Sequence, residues 1–145
     1  MKILYETSTG EVLSMGETPN LQPDPGQSIA DVSFGFPSEP LNHFTFNGTA
    51  LVRKDQSVID KEDAIKNFNS KTFFGRLIQV FDASRWFGLS KLGVGWTMQQ
   101  LVDYPNFSGL KAYATGLLMD QTITQDDADK INACLLEQGI DLNDF

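Results

Sequence analysis

The chain has 145 residues, a formal net charge of −8, and 41% hydrophobic residues that include eleven phenylalanines. This length and composition predict one ordinary globular domain, or a small module joined to another, and they exclude a disordered chain. Because phosphate contacts need clustered lysine and arginine, the acidic balance also excludes a general nucleic-acid-binding protein.

The N-terminal part has the residue patterns of β-structure. The segments KILYE and EVLSM flank the turn TSTG, in which Gly10 supplies the positive φ that ends a short hairpin loop. Further along, Pro25 and Gly26 suit the two central positions of a type II turn. These patterns predict a first hairpin and then a turn that leads into another strand.

Two more strand patterns follow that turn. Val32, Phe34 and Phe36 alternate with polar or small residues, which predicts a half-buried strand. In the next segment, HFTFNGTALVR, the pair Asn47-Gly48 favours a two-residue type I′ turn between two strands. The cross-strand pairs that this turn predicts are Phe46 with Thr49 and Phe44 with Leu51.

From residue 57 the apolar period changes from that of a strand to that of a helix. The segment SVIDKEDAIKNF predicts a short helix, with Asp60 as a candidate cap. An amphipathic helix with a wide apolar face is predicted to begin after Ser70. Its apolar residues are Phe73, Phe74, Leu77, Ile78 and Phe81.

The following helical segments are separated by glycine and proline. A short segment with Phe87 and Leu89 is predicted to be interrupted by Gly93 and Gly95. GWTMQQLVDYP predicts a helix that stops before its proline, and SGLKAYATGLLMD predicts another that is capped by Ser108.

The closing segment, ITQDDADKINACLLEQGIDLNDF, contains three aspartates near a helix start. A calcium loop beginning at Asp126 is excluded, because Lys130 would occupy a ligand position and no glycine would permit the sharp turn. A catalytic carboxylate pair lacks a partner nucleophile or histidine. Helix capping explains the residues: Thr124 is the N-cap, Asp127 is the N3 acid of a capping box, and Gly139 ends the helix. The expected buried stripe consists of Ala128, Ile131, Cys134 and Leu135.

Together, these elements predict an α+β fold. A small antiparallel β module of four or five strands is expected over residues 1–56, and a C-terminal helical bundle of four or five helices over residues 57–145.

The charge is distributed unevenly, with eight of the eleven bases in residues 53–93 and seven acids against one base in residues 120–145. The basic middle is either a solvated helix surface or a surface that meets an acidic partner, such as the acidic ends of a neighbouring copy. Arg85-Trp86-Phe87 is a candidate aromatic–basic anchor, because Trp and Arg are enriched at binding hot spots, although Trp86 equally fits a core. The candidate partner-binding residues are Arg76, Arg85, Trp86, Phe87 and Lys91.

Other chemistry-bearing residues favour structural interpretations. Cys134 lies in an apolar helical run and is expected to be buried, and the single histidine, His43, is expected on the exposed face of the Asn47-Gly48 hairpin. No catalytic residue, cofactor or metal site is predicted. The polar N-terminus does not resemble a signal peptide and no apolar run is long enough to span a membrane, so we expect a soluble protein made in a cytoplasm.

Several segments resemble modules of small tailed-bacteriophage virion proteins. ILYETSTGEVLSMGE is similar to their short N-terminal modules, and PDPGQSIADV and FNGTALVRK are in keeping with such modules. The ending ITQDDADKINACLLEQGIDL is similar to the short helical ends of the same kind of protein. These proteins are tail, baseplate, neck or fibre components, or assembly factors for them, and the resemblance brings no catalytic residue.

The resemblance implies a non-enzymatic structural protein of the phage particle that is made in the host cytoplasm and acts through protein–protein docking. Other virion proteins and copies of the chain itself are the expected partners, with no small-molecule substrate, nucleic acid or membrane. The alternative is a cytoplasmic assembly chaperone or adaptor that is absent from the mature particle.

Overall fold

The computed structural model describes residues 1–17 and 22–145, and within them five β-strands precede six α-helices. The predicted α+β fold is therefore confirmed. The strands are β1 (Lys2–Glu6), β2 (Val12–Gly16), β3 (Gln27–Asp31), β4 (Phe44–Phe46) and β5 (Leu51–Arg53). The helices are α1 (Gln56–Lys66), α2 (Ser70–Val80), α3 (Ala83–Lys91), α4 (Val94–Asp103), α5 (Phe107–Met119) and α6 (Gln125–Leu136). The chain forms two compact units, Met1–Ile59 and Asp60–Phe145.

The first unit contains an antiparallel sheet with β1 between β2 and β3. The predicted first hairpin, formed by β1 and β2, is confirmed, and Gly10 in its loop has a φ of +74°. The Gly10 carbonyl also accepts the Phe46 N–H at 2.8 Å. The predicted turn is also present, since the Gln27 N–H donates to the Asp24 carbonyl at 3.0 Å and Gly26 has a φ of +88°. Both positive φ values need glycine, because a Cβ disfavours this conformation.

The strand predicted over residues 31–36 is wrong. β3 ends at Asp31, whose ladder partner is Lys2, the first residue of β1. Val32 makes one more hydrogen bond, to the carbonyl of Met1, and residues 33–36 are not in a strand. Val32 and Phe34 still pack on the core of the first unit, whereas Phe36 is exposed.

The second predicted hairpin exists, but its predicted register is wrong. Phe46 faces Leu51 and Phe44 faces Arg53, so the loop contains Asn47 and the three residues after it. The Asn47 side chain causes the shift, because its Oδ1 accepts the N–H groups of Thr49 at 3.0 Å and Ala50 at 2.9 Å. These bonds form an Asx-type loop that competes with the two-residue turn.

The predicted exposed position of His43 is also wrong. His43 ends a short 3-10 turn, Leu41–His43, directly before β4. Its side chain is only 17% exposed, and its Nδ1 lies 3.1 Å from Glu39 Oε2. Hydrogen bonds from His43 and then from Arg53 lower the pKa of the Glu39 carboxyl, so a local charged cluster takes the place of a solvated hairpin face.

The core of the first unit is small. It consists of Ile3, Val12, Met15 and Phe46, all buried. Tyr5 packs edge-on against Phe46, with 5.0 Å between the ring centroids. Aromatic pairs prefer this geometry, which adds to the stabilisation from burial alone.

The second unit has a larger core to which five of its helices contribute buried residues. The buried residues of this core are Phe73, Leu77, Phe81, Leu89, Val94, Met98, Val102, Phe107, Leu110, Ile123, Ala128, Ile131, Cys134, Leu135, Ile140 and Leu142. The predicted stripe of α6 is thus confirmed, Cys134 included. Burial raises the pKa of the Cys134 thiol, which keeps it protonated and unreactive at neutral pH.

Three helix boundaries differ from their predictions for local reasons. α1 begins at Gln56, ahead of the predicted cap Asp60. α5 is capped by Asn106, whose Oδ1 accepts the Gly109 N–H at 2.9 Å, so the predicted cap Ser108 lies inside the helix. Only one of the two predicted breaking glycines acts as such: Gly93, with a φ of +74°, separates α3 from α4, whereas Gly95 lies within α4.

Among the described residues, no helix is both long enough and apolar enough to cross a membrane.

Candidate docking surface

The aspartate cluster is a helix start, as predicted. Thr124 caps α6, its Oγ1 accepting the Asp127 N–H at 3.2 Å, while Asp127 Oδ2 accepts the Thr124 N–H at 2.9 Å. Asp126 pairs with Lys130 at 3.0 Å, and Asp129 Oδ1 accepts a hydrogen bond from Gln125 at 2.8 Å. All three carboxylates therefore have structural partners.

Asp127 also binds Arg85, which the sequence predicts to be a partner-binding residue. Arg85 Nε donates to Asp127 Oδ2 at 3.1 Å, Arg85 Nη2 donates to the same oxygen, and Nη2 also reaches the Thr122 carbonyl at 3.0 Å. Burial opposes the charge on Asp127, but the Arg85 guanidinium and the Thr124 N–H outweigh it, so the pKa of Asp127 lies below its ordinary value. Arg85 therefore links α3 to α6 within the chain.

Arg76 has a similar internal role between α2 and α6. Its Nε and Nη2 lie 3.0 Å from Glu137 Oε2 and Oε1 respectively, in a bidentate pair, and its Nη1 donates to Gln79 at 2.7 Å. These bonds lower the pKa of the Glu137 carboxyl. At the start of α2, the Asn69 N–H and carbonyl bind the side chain of Gln138, which follows α6, at 2.8 Å and 3.0 Å. Hydrogen bonds thus join α2 to the end of α6 at two places, the start of α2 and Arg76.

Trp86 belongs to the helical core and not to the open surface. Its ring packs on Phe81 with 5.8 Å between centroids, and it is partly buried against the core. A Cβ added at Gly95 would lie 3.5 Å from the Trp86 ring, which is an ordinary contact distance, so α4 packs directly beside the indole. The two sequence alternatives for Trp86 are thereby resolved in favour of packing.

The remaining two predicted residues, Phe87 and Lys91, are exposed and contact each other. Lys91 Nζ lies 4.6 Å from the centroid of the Phe87 ring, a cation–π arrangement. Phe87, Leu92 and Trp96 are exposed by 62%, 68% and 67% respectively. Large contiguous patches of exposed apolar surface are typical of binding sites in soluble proteins, whereas single exposed apolar residues are common.

An apolar groove lies between α2 and α4. Its lining residues are Ser70, Lys71, Phe74, Gly75, Ile78 and Gln99, and we call it the α2–α4 groove. Ile78 is 57% exposed, although its spacing predicts an inward position. Trp96 precedes Gln99 by one helical turn on the outer face of α4, and so continues the apolar surface beyond the groove.

The groove residues were missed at the sequence level because they lie on the edge of a helix face that is wider than the core. The sequence predicts a wide apolar face on α2 and does not separate Phe74, which packs against the core, from the exposed Ile78. Only the packing of α2 against the other helices shows that Phe73 and Leu77 are buried and that Ile78 is left to solvent. Trp96 lies within a predicted helix and had no distinguishing spacing.

Within residues 1–17 and 22–145, no group of three or more His, Cys, Asp or Glu side chains is placed to hold a metal ion. The arrangement that the helical unit does offer is an exposed apolar surface with lysines at its border. Comparisons with protein-family models, curated proteins and solved structures find no match to this chain.

Proposed function

We propose that this chain is a non-enzymatic structural component of a tailed-phage particle, located in the tail, baseplate, neck or fibre attachment, and that it acts by protein–protein docking. The phage assignment follows from the sequence resemblance described above. The single observation that supports docking is the exposed apolar surface of the helical unit, formed by the α2–α4 groove and by Phe87, Leu92 and Trp96.

The state of the ionisable residues supports docking over catalysis. Asp127 is bound by Arg85 and by the start of α6, Glu137 is bound by Arg76, and Cys134 is buried with a raised pKa. Catalytic acids and nucleophiles require access to a substrate. Asp127 and Glu137 are instead paired with arginines of other helices, and Cys134 is buried. By contrast, the side chains of Ile78, Phe87, Leu92 and Trp96 are mostly exposed and open to a partner.

Lysines at the border of the surface add selectivity to this docking. Lys71 lines the groove, and Lys91 lies over the exposed Phe87 ring. Charges at the rim of an interface mainly orient the partner and accelerate association, whereas apolar anchors supply most of the affinity. A partner with an apolar ridge and nearby carboxylates fits this surface.

Mass spectrometry of purified phage particles tests the assignment. We expect peptides of this chain in the particles at a constant ratio to known structural proteins. If the chain is present in the lysate and absent from the purified particles, the structural proposal is refuted in favour of the assembly chaperone or adaptor.

A substitution in the docking surface links the particle result to the structure. We expect Trp96→Ser to reduce incorporation of the chain into particles without changing its melting temperature, because the side chain is exposed. Met119→Ser is the matched control, since Met119 is also a largely exposed apolar residue but lies on α5. Equal incorporation of both variants would show that Trp96 is not part of the docking surface.

A further inference from the structure

The second unit carries, on α6, a surface whose chemistry complements the α2–α4 groove. The outer side of α6 presents Asp126, Asp129, Ala133 and Leu136, all exposed, and we call it the α6 outer face. Leu136 is 55% exposed at the end of the helix, and Asp129 lies two turns before it on the same side. The α6 outer face is therefore an apolar ridge with carboxylates beside it.

Each of the two surfaces carries a charge that has no partner of opposite sign among the described residues. Arg76, Arg85 and Lys130 are paired with carboxylates of α6, whereas the described residues give Lys71 no carboxylate partner. Asp129 in turn accepts a hydrogen bond from the neutral Gln125 side chain and has no cationic partner in the described part of the chain. Opposite charges without internal partners thus lie one on each surface.

The spacing of the two surfaces also matches. Lys71 and Ile78 are seven residues apart on α2, and Asp129 and Leu136 are seven residues apart on α6. Each pair spans about 10.5 Å along its helix. When the two helices lie side by side in the same direction, Asp129 reaches Lys71 while Leu136 lies beside Ile78.

Gly75 makes room for such a contact. It lies inside α2 on the groove side, and a Cβ built there would meet no atom within 4 Å. Glycine destabilises an exposed helix interior by about 1 kcal/mol relative to alanine, and nothing in this unit approaches it closely enough to require the missing side chain. A second helix that packs into the groove would come close to the backbone at this position.

The contact has to form between two copies of the chain. The core and the Arg76–Glu137 pair hold one side of α6 against α2, so the α6 outer face of a chain cannot enter that chain's own groove. We propose that the α6 outer face of one copy docks in the α2–α4 groove of the next, with Leu136 beside Ile78 and Asp129 beside Lys71. Because the two copies use different surfaces, the contact is head-to-tail and builds a ring or a filament.

This inference rests on the proposed docking function and names a second copy of the chain as the partner. Two variants of the full chain block one surface each. Gly75→Glu fills the groove and places a carboxylate beside Lys71, and Leu136→Lys removes the apolar ridge and adds a repelling charge. We expect the wild type to associate with rising concentration in analytical ultracentrifugation, and each variant to weaken the self-association constant by about tenfold or more.

Matched controls carry the same substitutions elsewhere. Gly116→Glu changes another exposed helix-interior glycine with open space around it, and Met119→Lys changes another exposed apolar residue. Both lie on α5, outside the two proposed surfaces. We expect both controls to self-associate as the wild type does, and all four variants to keep the wild-type circular dichroism spectrum.

An equimolar mixture of Gly75→Glu and Leu136→Lys gives the sharpest test. The first variant keeps an intact α6 outer face and the second keeps an intact groove, so one contact forms between them and no further copy can add. We expect a species of twice the 16.1 kDa chain mass in the mixture, and monomers of each variant alone.

Several results would overturn the head-to-tail contact. They are a wild type that stays monomeric up to millimolar concentration, a Leu136→Lys variant that still dimerises alone, or a mixture that remains monomeric. None of these bears on whether the chain is found in phage particles by mass spectrometry. A monomeric chain that is nonetheless present in particles would refute only the self-association.

Discussion

Arg85 on α3 and Asp127 on α6 lie 42 positions apart in the sequence and form a hydrogen-bonded ion pair at the first turn of α6. The side chain of Asp127 is only 5% exposed, whereas that of Arg85 is 37% exposed. The same carboxylate completes the capping box of Thr124. One residue therefore stabilises both a helix start and the packing of two helices.

Replacing Asp127 is expected to destabilise the helical unit. Asp127→Ala removes the N3 cap bond and leaves Arg85 without its carboxylate, and we expect the free energy of unfolding to fall by about 2 kcal/mol. Water around Arg85 keeps the loss below that of a fully buried pair. Urea denaturation measures the loss, and Asp126→Ala, at an exposed position in the same turn, is the control that should change stability much less.

The same carboxylate predicts a pH dependence. The pKa of Asp127 is lower in the folded protein than its ordinary value, because the Arg85 guanidinium and the Thr124 N–H outweigh the effect of burial. A depressed pKa contributes stability that is complete above the unfolded-state pKa and is lost as the pH falls through the folded-state pKa. The stability difference between wild type and Asp127→Ala should therefore shrink below about pH 5. Urea midpoints measured from neutral to acidic pH test this, and a constant difference would contradict it.

Gly10 and Gly48 in the first unit allow the effect of a positive φ to be distinguished from the effect of a close steric contact. Gly10 and Gly48 both have positive φ values, but only at Gly10 would a Cβ lie 2.6 Å from the Phe46 carbonyl oxygen. An alanine with positive φ is destabilised by about 1–2 kcal/mol, and Gly10→Ala must in addition displace β4. We expect faster amide exchange at Phe46 in Gly10→Ala than in Gly48→Ala, measured by hydrogen–deuterium exchange. Equal exchange would show that the backbone accommodates the new Cβ without weakening the protection of the Phe46 amide.

The two tryptophans are predicted to differ in their fluorescence. Trp86 packs on Phe81, whereas Trp96 is 67% exposed. In dilute protein, the Trp86→Phe variant, which retains Trp96, should emit at longer wavelength and be quenched more strongly by iodide than Trp96→Phe. Equal quenching of the two variants would place Trp96 against protein surface even in the dilute chain.

The start and the end of α6 could be predicted because each depends on residues a few positions apart. Thr124 and Asp127 are three residues apart, and Gly139 ends α6 with the Ile140 N–H on the Leu135 carbonyl at 3.1 Å, as the pattern predicts. The predicted register of the second hairpin is wrong because the Asn47 side chain accepts backbone N–H groups and so favours a longer loop. The pair Asn47-Gly48 is compatible with both the two-residue turn and this longer loop.

Of the five predicted partner-binding residues, the tertiary structure separates those that bind within the chain from those that do not. Arg76, Arg85 and Trp86 have internal partners, and Phe87 and Lys91 remain exposed. Nothing in the sequence distinguishes these two groups, because a basic or aromatic residue has the same local pattern whether its partner is on the next helix or on another protein.

The sequence by itself determined the α+β class, the order of a β region before a helical region, and the capping box of α6, because periodicity and capping act over one or two turns of chain. The tertiary structure alone decided that β3 stops where β1 begins, that Arg85 is used by Asp127, and that α2 and α4 leave a groove beside Gly75. These features depend on which distant segments meet, and the relative position of packed helices is set by the sum of all their core contacts.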